Sequence, residues 1–100
     1  GGPLHVLLAL ARTQKVDLLT LSITRLAEQY LAFVHEARRR NFSLAADYLV
    51  MASWLAYLKS RLLLPRAEKG RADEPPAEDM AAALAFRLQK LEAMRRAADA

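Results

Sequence analysis

One long and almost entirely apolar stretch, Ser43–Pro65, dominates the hydrophobic pattern of this chain. From residue 44 to residue 58, only Asp47 and Ser53 interrupt the run of apolar residues. The stretch predicts a helix that is capped by its first serine and stopped by its final proline. A helix that is apolar on nearly all sides is normally buried over most of its circumference. We therefore expect the rest of the chain to be arranged around this central helix.

At 100° per residue, the central helix has two apolar faces. The first face has the three- and four-residue spacing of a core stripe and consists of Ala45, Tyr48, Leu49, Ala52, Leu55, Ala56, Leu62 and Leu63. The second face alternates steps of four and three, as in a coiled-coil seam, and consists of Asp47, Met51, Trp54, Leu58 and Arg61. Our hypothesis is that the first face holds the domain together and the second receives a partner. The alternative, that the second face is ordinary core, is equally compatible with the pattern.

Three further helices are predicted around the central one. Pro3 suits the first position of a helix that ends near residue 12, and Ser22 suits the N-cap of a second helix, which Asn41 ends. Residues 65–76 are charged and contain three of the four prolines, which is typical of a linker. The last helix begins at Ala77. Its apolar stripe is Met80, Leu84, Leu88, Leu91 and Met94 or Arg95, and Phe86 lies off it.

These elements predict an all-α fold, a small bundle of about four helices with a long apolar central helix and a charged linker before the last one. The predicted domain consists of residues 1–64, a linker over 65–76, and residues 77–100 as the C-terminal helix of the same domain. Because the connection between the second and central helices is short, we expect these two to pack against each other.

The composition narrows the possible functions. Cysteine is absent, and His5 and His35 have no ligand partner at metal-site spacing, so we expect no metal and no cofactor. No phosphate loop, nucleophile motif or paired carboxylates are present, and we predict that the chain is not an enzyme. The longest apolar run is too short to span a bilayer, so we expect a soluble chain with no membrane partner. The absence of cysteine fits a reducing, cytoplasmic location.

The net charge of +4 makes an anionic partner worth considering. Arg38, Arg39 and Arg40 form the densest basic cluster, but cations are favoured at the C-terminal end of any helix by its dipole. No nucleic-acid recognition motif accompanies them. We therefore favour the structural interpretation of this cluster over a DNA site.

Four segments resemble, in order, the signatures of the ScpA family (segregation and condensation protein A), the bacterial kleisins. Residues 2–8, GPLHVLL, resemble the family's GPLDLLL opening, with His5 in place of the usual acidic residue. Residues 16–23 and 28–31 are similar to the next two signatures, and residues 45–65 to the most characteristic block. Beyond Pro65 the likeness is reduced to a charged linker followed by a helix.

The resemblance implies the N-terminal kleisin-type domain of a non-catalytic subunit. Such a domain would bind the coiled-coil neck of an SMC ATPase in the SMC–ScpA–ScpB complex, which acts in chromosome condensation and segregation. It would meet ScpB through regions outside this chain and DNA indirectly through the complex, in the cytoplasm at the nucleoid.

The resemblance does not indicate which helix face contacts the neck. The predicted contacts are therefore taken from the spacing of apolar residues along the helices. They are Met51, Trp54, Leu58 and Arg61 on the central helix, with Leu84, Leu88 and Leu91 on the last helix as second candidates.

Two other functions compete with neck binding. The first is a small basic helical domain that binds DNA through the arginines at residues 38–40, with an affinity that falls steeply with salt. The second is weak self-association, in which the exposed seam of the central helix pairs two copies of the chain.

Overall fold

In a computed structural model, the described residues, 1–15, 17, 20–65 and 73–99, form an all-α bundle. Its helices are α1 (Pro3–Thr13), α2 (Ile23–Arg39), α3 (Ala46–Leu63) and α4 (Ala77–Asp99). The prediction of about four helices and no strand is confirmed for this part of the chain. Most of the predicted linker, residues 66–72, lies outside the described residues, and the proposed domain limits stay a prediction.

The ends of α1 and α2 follow the local signals in the sequence. α1 begins at Pro3, as predicted. The side chain of Ser22 accepts a hydrogen bond from the backbone N–H of Arg25 at 3.1 Å, so the predicted N-cap is confirmed. At the other end of α2, Asn41 has a φ of 62°, and the N–H of Phe42 donates to the carbonyl of Ala37 at 2.8 Å. This Schellman arrangement confirms the predicted helix end.

The start of α3 differs from the prediction. The helix begins at Ala46, and Ala45 occupies the N-cap position in an extended conformation without a side-chain cap. A capping side chain must belong to the residue directly before the first helical turn, so the expectation that Ser43 caps the helix is wrong. The predicted end is confirmed, because Leu64, directly before Pro65, has an extended ψ of 148°.

The core lies between all four helices, with the most extensive interface between α2 and α3, and α4 packs against both α3 and α1. The fully or almost fully buried apolar side chains are Leu7, Leu8, Ala11, Ile23, Leu26, Ala27, Tyr30, Val34, Ala37, Leu55, Leu58, Ala77, Ala81, Leu84 and Leu88. None of the described helices is long and apolar enough to cross a membrane.

The assignment of the two α3 faces is partly wrong. Leu49 and Leu63, predicted to be core, are 42% and 64% exposed, whereas Leu58 and Arg61, predicted to face outward, are 0% and 4% exposed. The buried stripe of α3 runs through Leu55 and therefore lies between the two predicted faces. Since α3 is apolar on nearly all sides, its sequence alone does not indicate which direction faces the core.

Tyr30 links α2 to α3 inside the core. Its side chain is completely buried, and its hydroxyl donates a hydrogen bond to the backbone carbonyl of Tyr48 at 2.9 Å. Burial, with smaller contributions from Tyr48 and Asp47, raises the pKa of Tyr30 to about 12. The neutral phenol is therefore the form that the folded state stabilises.

We expect Tyr30→Phe to lower the free energy of unfolding by about 0.5–1.5 kcal/mol, because one hydrogen bond is lost while the ring still fills its space. In the wild type, the raised pKa of Tyr30 contributes stability that is present below pH 10 and lost as the pH rises towards 12. Urea denaturation of both proteins from pH 8 to pH 11.5 should therefore show their difference shrinking above pH 10. A difference independent of pH would contradict this assignment.

Candidate interaction groove

An apolar groove of about 820 Å³ opens between the start of α1, the first half of α3 and the first half of α4. Its lining consists of Pro3, Leu4, Ala46, Asp47, Val50, Met51, Trp54, Met80, Ala83, Leu84 and Arg87. Asp47 and Arg87 are the two charged residues of this lining, and all the others are apolar. We refer to this feature as the groove.

Each long wall of the groove is one stripe of one helix. α3 contributes residues 46, 47, 50, 51 and 54, and α4 contributes residues 80, 83, 84 and 87. Positions separated by three, four and seven residues lie on the same face of a helix. The groove is therefore bounded by one stripe of α3 and one stripe of α4, and Pro3 and Leu4 at the beginning of α1 complete its lining.

The groove carries apolar surface that the bundle leaves uncovered. Val50 is 68% exposed, and Met51 and Trp54 are only partly buried against the core. Leu84 is 6% exposed and closes the groove towards the core. A concave and mostly apolar groove with a few polar groups is the usual form of a binding site.

The structure brings some of the predicted contact residues together and separates others. Met51, Trp54 and Leu84 meet in the groove. Leu58 and Leu88 are completely buried in the core. The expectation that Leu58 and Arg61 lie on an uncovered face is therefore wrong. Leu91 is partly buried against the core and is not part of the groove lining. The binding of a partner by any of these residues stays a prediction.

Arg61 instead attaches the segment before α4 to α3. Its Nη1 atom lies 3.0 Å from Oε2 of Glu74, and its Nη2 atom donates to the carbonyl of Pro75 at 2.9 Å. The guanidinium also lies 5.7 Å from the centroid of the Tyr57 ring, and the hydroxyl of Tyr57 donates to Glu74. These contacts fix where α4 begins and so position the α4 wall of the groove.

We expect Glu74→Ala to lower the free energy of unfolding by about 1–3 kcal/mol, because it leaves the buried guanidinium of Arg61 without its carboxylate. The value stays below that of a fully buried pair because the Glu74 side chain is 30% exposed. Chemical denaturation provides the measurement. The control is Asp73→Ala, at an exposed neighbouring residue, for which we expect less than about 0.5 kcal/mol. Equal losses in both variants would contradict the anchoring role of Glu74.

A second ionic contact attaches α4 to α1. Oε2 of Glu92 lies 3.4 Å from Nε of Arg12, and Arg95 donates to Oε1 of Glu92 at 2.6 Å. The hydrogen bond from Arg95, with the nearby charge of Arg12 among the smaller contributions, lowers the pKa of Glu92. α4 is thus held to the bundle by ion pairs near both ends, on either side of the stretch that lines the groove.

The basic cluster at the end of α2 is partly neutralised by its own helix. Oε1 of Glu36 lies 2.6 Å from Nη2 of Arg39 and 2.8 Å from Nε of Arg40. The hydrogen bonds from Arg39 and Arg40 lower the pKa of the Glu36 carboxyl. The helix-dipole interpretation did not include these ion pairs with Glu36, and they give no support to the alternative of a DNA site on residues 38–40. Among the described residues, no group of three or more acidic or histidine side chains could hold a metal ion.

Sequence reasoning missed several residues of the groove, above all Val50 and Met80. The signal was present, because residues 47, 50, 51 and 54 have the spacing of one helix face, as do residues 80, 83, 84 and 87. The narrower pattern of a coiled-coil seam, used for the prediction, places Leu58 on the surface and does not include Val50. The contribution of Pro3 and Leu4 depends on tertiary packing and has no comparable local signal.

The fold and the groove define a class of protein: a small helical-bundle domain with an open apolar groove between its helices. Residues 10–100 match the family described as Segregation and condensation protein ScpA. The chain therefore belongs to the ScpA family, and the resemblance noted in its sequence is confirmed.

The similarity to individual proteins of known name also supports membership of this family. The chain is 43% identical over 97 residues to segregation and condensation protein A of Coxiella burnetii, an alignment that covers 97% of this chain and 35% of the relative. It is 41% identical over 98 residues to the protein of the same name from Xylella fastidiosa strain 9a5c, covering 98% and 32%. For the Lactiplantibacillus plantarum protein the identity is 42% over 78 residues, covering 78% and 31%. The chain thus spans about a third of the curated relatives it matches.

Proposed function

We propose that this chain is a non-catalytic docking domain that binds the coiled-coil neck of an SMC ATPase through the groove. In this proposal it acts within an SMC–ScpA–ScpB complex in chromosome condensation and segregation. Membership of the ScpA family supports the biological role. The single observation that carries the docking role is the uncovered apolar stripe of Val50, Met51 and Trp54 on α3.

A helix is a suitable occupant for the groove. Amphipathic helices commonly bind by laying an apolar face, with anchors three, four and seven residues apart, into a hydrophobic groove. A coiled-coil helix carries such a face. The ridges of α3 and α4 have the same periodicity, so side chains of a docked helix could interdigitate with them.

Covering the groove contributes part of the free energy that a specific interaction needs. Full burial of a large apolar side chain contributes roughly 1.5–3 kcal/mol. Val50, Met51, Trp54 and Met80 are each still partly or largely exposed and would each contribute a part of this. Part of the gain is offset by the loss of translational and rotational freedom on association. Trp54 is the aromatic residue of this surface, and tryptophan is one of the residue types that most often contribute a large share of the binding energy of an interface.

The proposed contact set therefore differs from the one predicted from sequence. Met51, Trp54 and Leu84 are retained, and Val50 and Met80 are added. Leu58, Leu88 and Arg61 are assigned to the stability of the bundle. Contacts with ScpB and DNA are proposed to involve regions of the subunit outside this chain.

Calorimetric titration of the chain with a purified neck fragment of the SMC protein from the same organism tests the proposal. We expect saturable binding at one chain per neck. A coiled-coil fragment of equal length from another part of the same SMC protein is the control, and it should not bind. Absence of binding to the neck, or equal binding to both fragments, would contradict the proposal.

A further inference from the structure

Two charges interrupt the otherwise apolar groove, and they lie on opposite walls. Asp47 belongs to the α3 wall and Arg87 to the α4 wall. Both side chains are exposed, and neither forms an ion pair with another described residue. Glu28, Glu36 and Glu92 are paired with basic side chains, but exposed arginines elsewhere, such as Arg25 and Arg38, have no ion pair with another described residue. Asp47 and Arg87 are therefore distinguished by their position in the apolar lining. The groove thus presents one unpaired acid and one unpaired base to whatever covers it.

Each wall of the groove is a single helical stripe, so the groove offers space for an elongated occupant. Two turns of a helix about 10 Å in diameter, with a pitch of about 5.4 Å, occupy roughly 850 Å³. The groove volume of about 820 Å³ is of the same order. Because the groove is open to solvent, we expect one helix of a coiled-coil partner to lie along it and the second helix to lie further from the bundle.

We propose that the groove receives one helix of the partner coiled coil, with a basic residue facing Asp47 and an acidic residue facing Arg87. This inference rests on the proposed function and specifies the partner surface that it requires. A charge that is covered by an apolar surface loses hydration and must be compensated by a partner. Complementary charges on the two flanks of the docked helix supply this compensation.

The two charges also set the direction of the docked helix. Reversing a helix within a groove exchanges its left and right flanks. A partner with its basic flank against α3 would, after reversal, place that flank against Arg87 and its acidic flank against Asp47. Like charges would then face each other on both walls, which disfavours the reversed orientation. The groove therefore selects one polarity of the docked helix.

Charge reversal on each wall tests the inference. We expect Asp47→Lys and Arg87→Glu each to weaken binding of the neck fragment at least tenfold at low salt, and less at high salt. Asp73→Lys and Arg38→Glu make the same changes in net charge at exposed residues outside the lining, and should change binding less than twofold. These controls separate a local contact from general electrostatic steering. Thermal melting of each variant is measured as well, because Asp47 also lies in the first turn of α3, where an acid is favourable.

Compensating changes in the partner identify the facing residues. Single charge reversals are introduced along the neck fragment and titrated against the two groove variants. We expect one basic-to-acidic change to restore binding of Asp47→Lys and one acidic-to-basic change to restore binding of Arg87→Glu, both on the same partner helix. Absence of rescue, or rescue from two different helices, would overturn the inference.

The remaining outcomes separate this inference from the proposed function. If Val50→Glu abolishes binding while both charge variants bind like the wild type, the docking role stands and the charge inference is wrong. If the wild-type chain does not bind the neck, the proposed function fails and this inference fails with it. If light scattering shows a dimer of the chain that Asp47→Lys dissociates, the occupant is a second copy, which also overturns the inference.

Discussion

Replacing Leu58 with alanine is expected to lower the free energy of unfolding by about 2–5 kcal/mol. Leu58 is 0% exposed and belongs to the core cluster that joins all four helices. Its truncation removes apolar contacts and leaves a cavity that the surrounding helices can fill only in part. For a domain of this size, the expected loss corresponds to a fall of roughly 8–40 °C in Tm.

Leu63→Ala is the matched control, because Leu63 lies on the same helix but is 64% exposed. We expect its free energy of unfolding to change by less than about 0.5 kcal/mol. Urea denaturation of both variants, followed by circular dichroism, provides the comparison. A Leu58→Ala protein as stable as the wild type would show that Leu58 is not packed as the structure places it.

Introducing a carboxylate at Val50 is expected to abolish docking without destabilising the bundle. Val50 is 68% exposed on the α3 ridge of the groove, so the isolated chain should tolerate Val50→Glu with little change in Tm. In the complex, the carboxylate would have to enter an apolar interface without a dedicated partner. We expect the affinity for the neck fragment to fall at least about 100-fold, which corresponds to roughly 2.7 kcal/mol.

Leu63→Glu makes the same chemical change at a residue of almost equal exposure on the same helix, but outside the groove lining. We expect this variant to bind the neck fragment like the wild type. Calorimetric titrations of the two variants therefore separate a contact in the groove from a general effect of added negative charge. Equal losses of affinity in both would contradict the assignment of the groove as the docking surface.

The parts of the fold that could be predicted from sequence are those decided by local backbone chemistry. Ser22 supplies an acceptor for a free N–H at the start of α2, and Asn41 tolerates the left-handed conformation that ends it. Pro65 restricts the residue before it and so ends α3. The apolar stripe of α4 contains Leu84 and Leu88, which are both buried, but the sequence pattern made them candidates for partner contact and did not assign them to the core.

The orientation of α3 could not be predicted in the same way. A helix with apolar residues on nearly every side can be buried in several directions, and only its neighbours decide which one faces the core. The packing of α1 and α4 therefore decides whether Leu58 or Val50 lies on the surface. No local sequence pattern encodes that packing. Arg61 was misassigned for a related reason, since its partners Glu74 and Pro75 are distant in sequence.

The central claim is that a partner helix covers the groove, and the fluorescence of Trp54 tests it most directly. Trp54 is the only tryptophan of the chain and lies in the groove lining, partly exposed. On titration with a tryptophan-free neck fragment, we expect its emission to shift to shorter wavelength and its quenching by acrylamide to decrease. Both changes should saturate at the stoichiometry measured by calorimetry. A complex that forms while the emission and quenching of Trp54 stay unchanged would contradict the account.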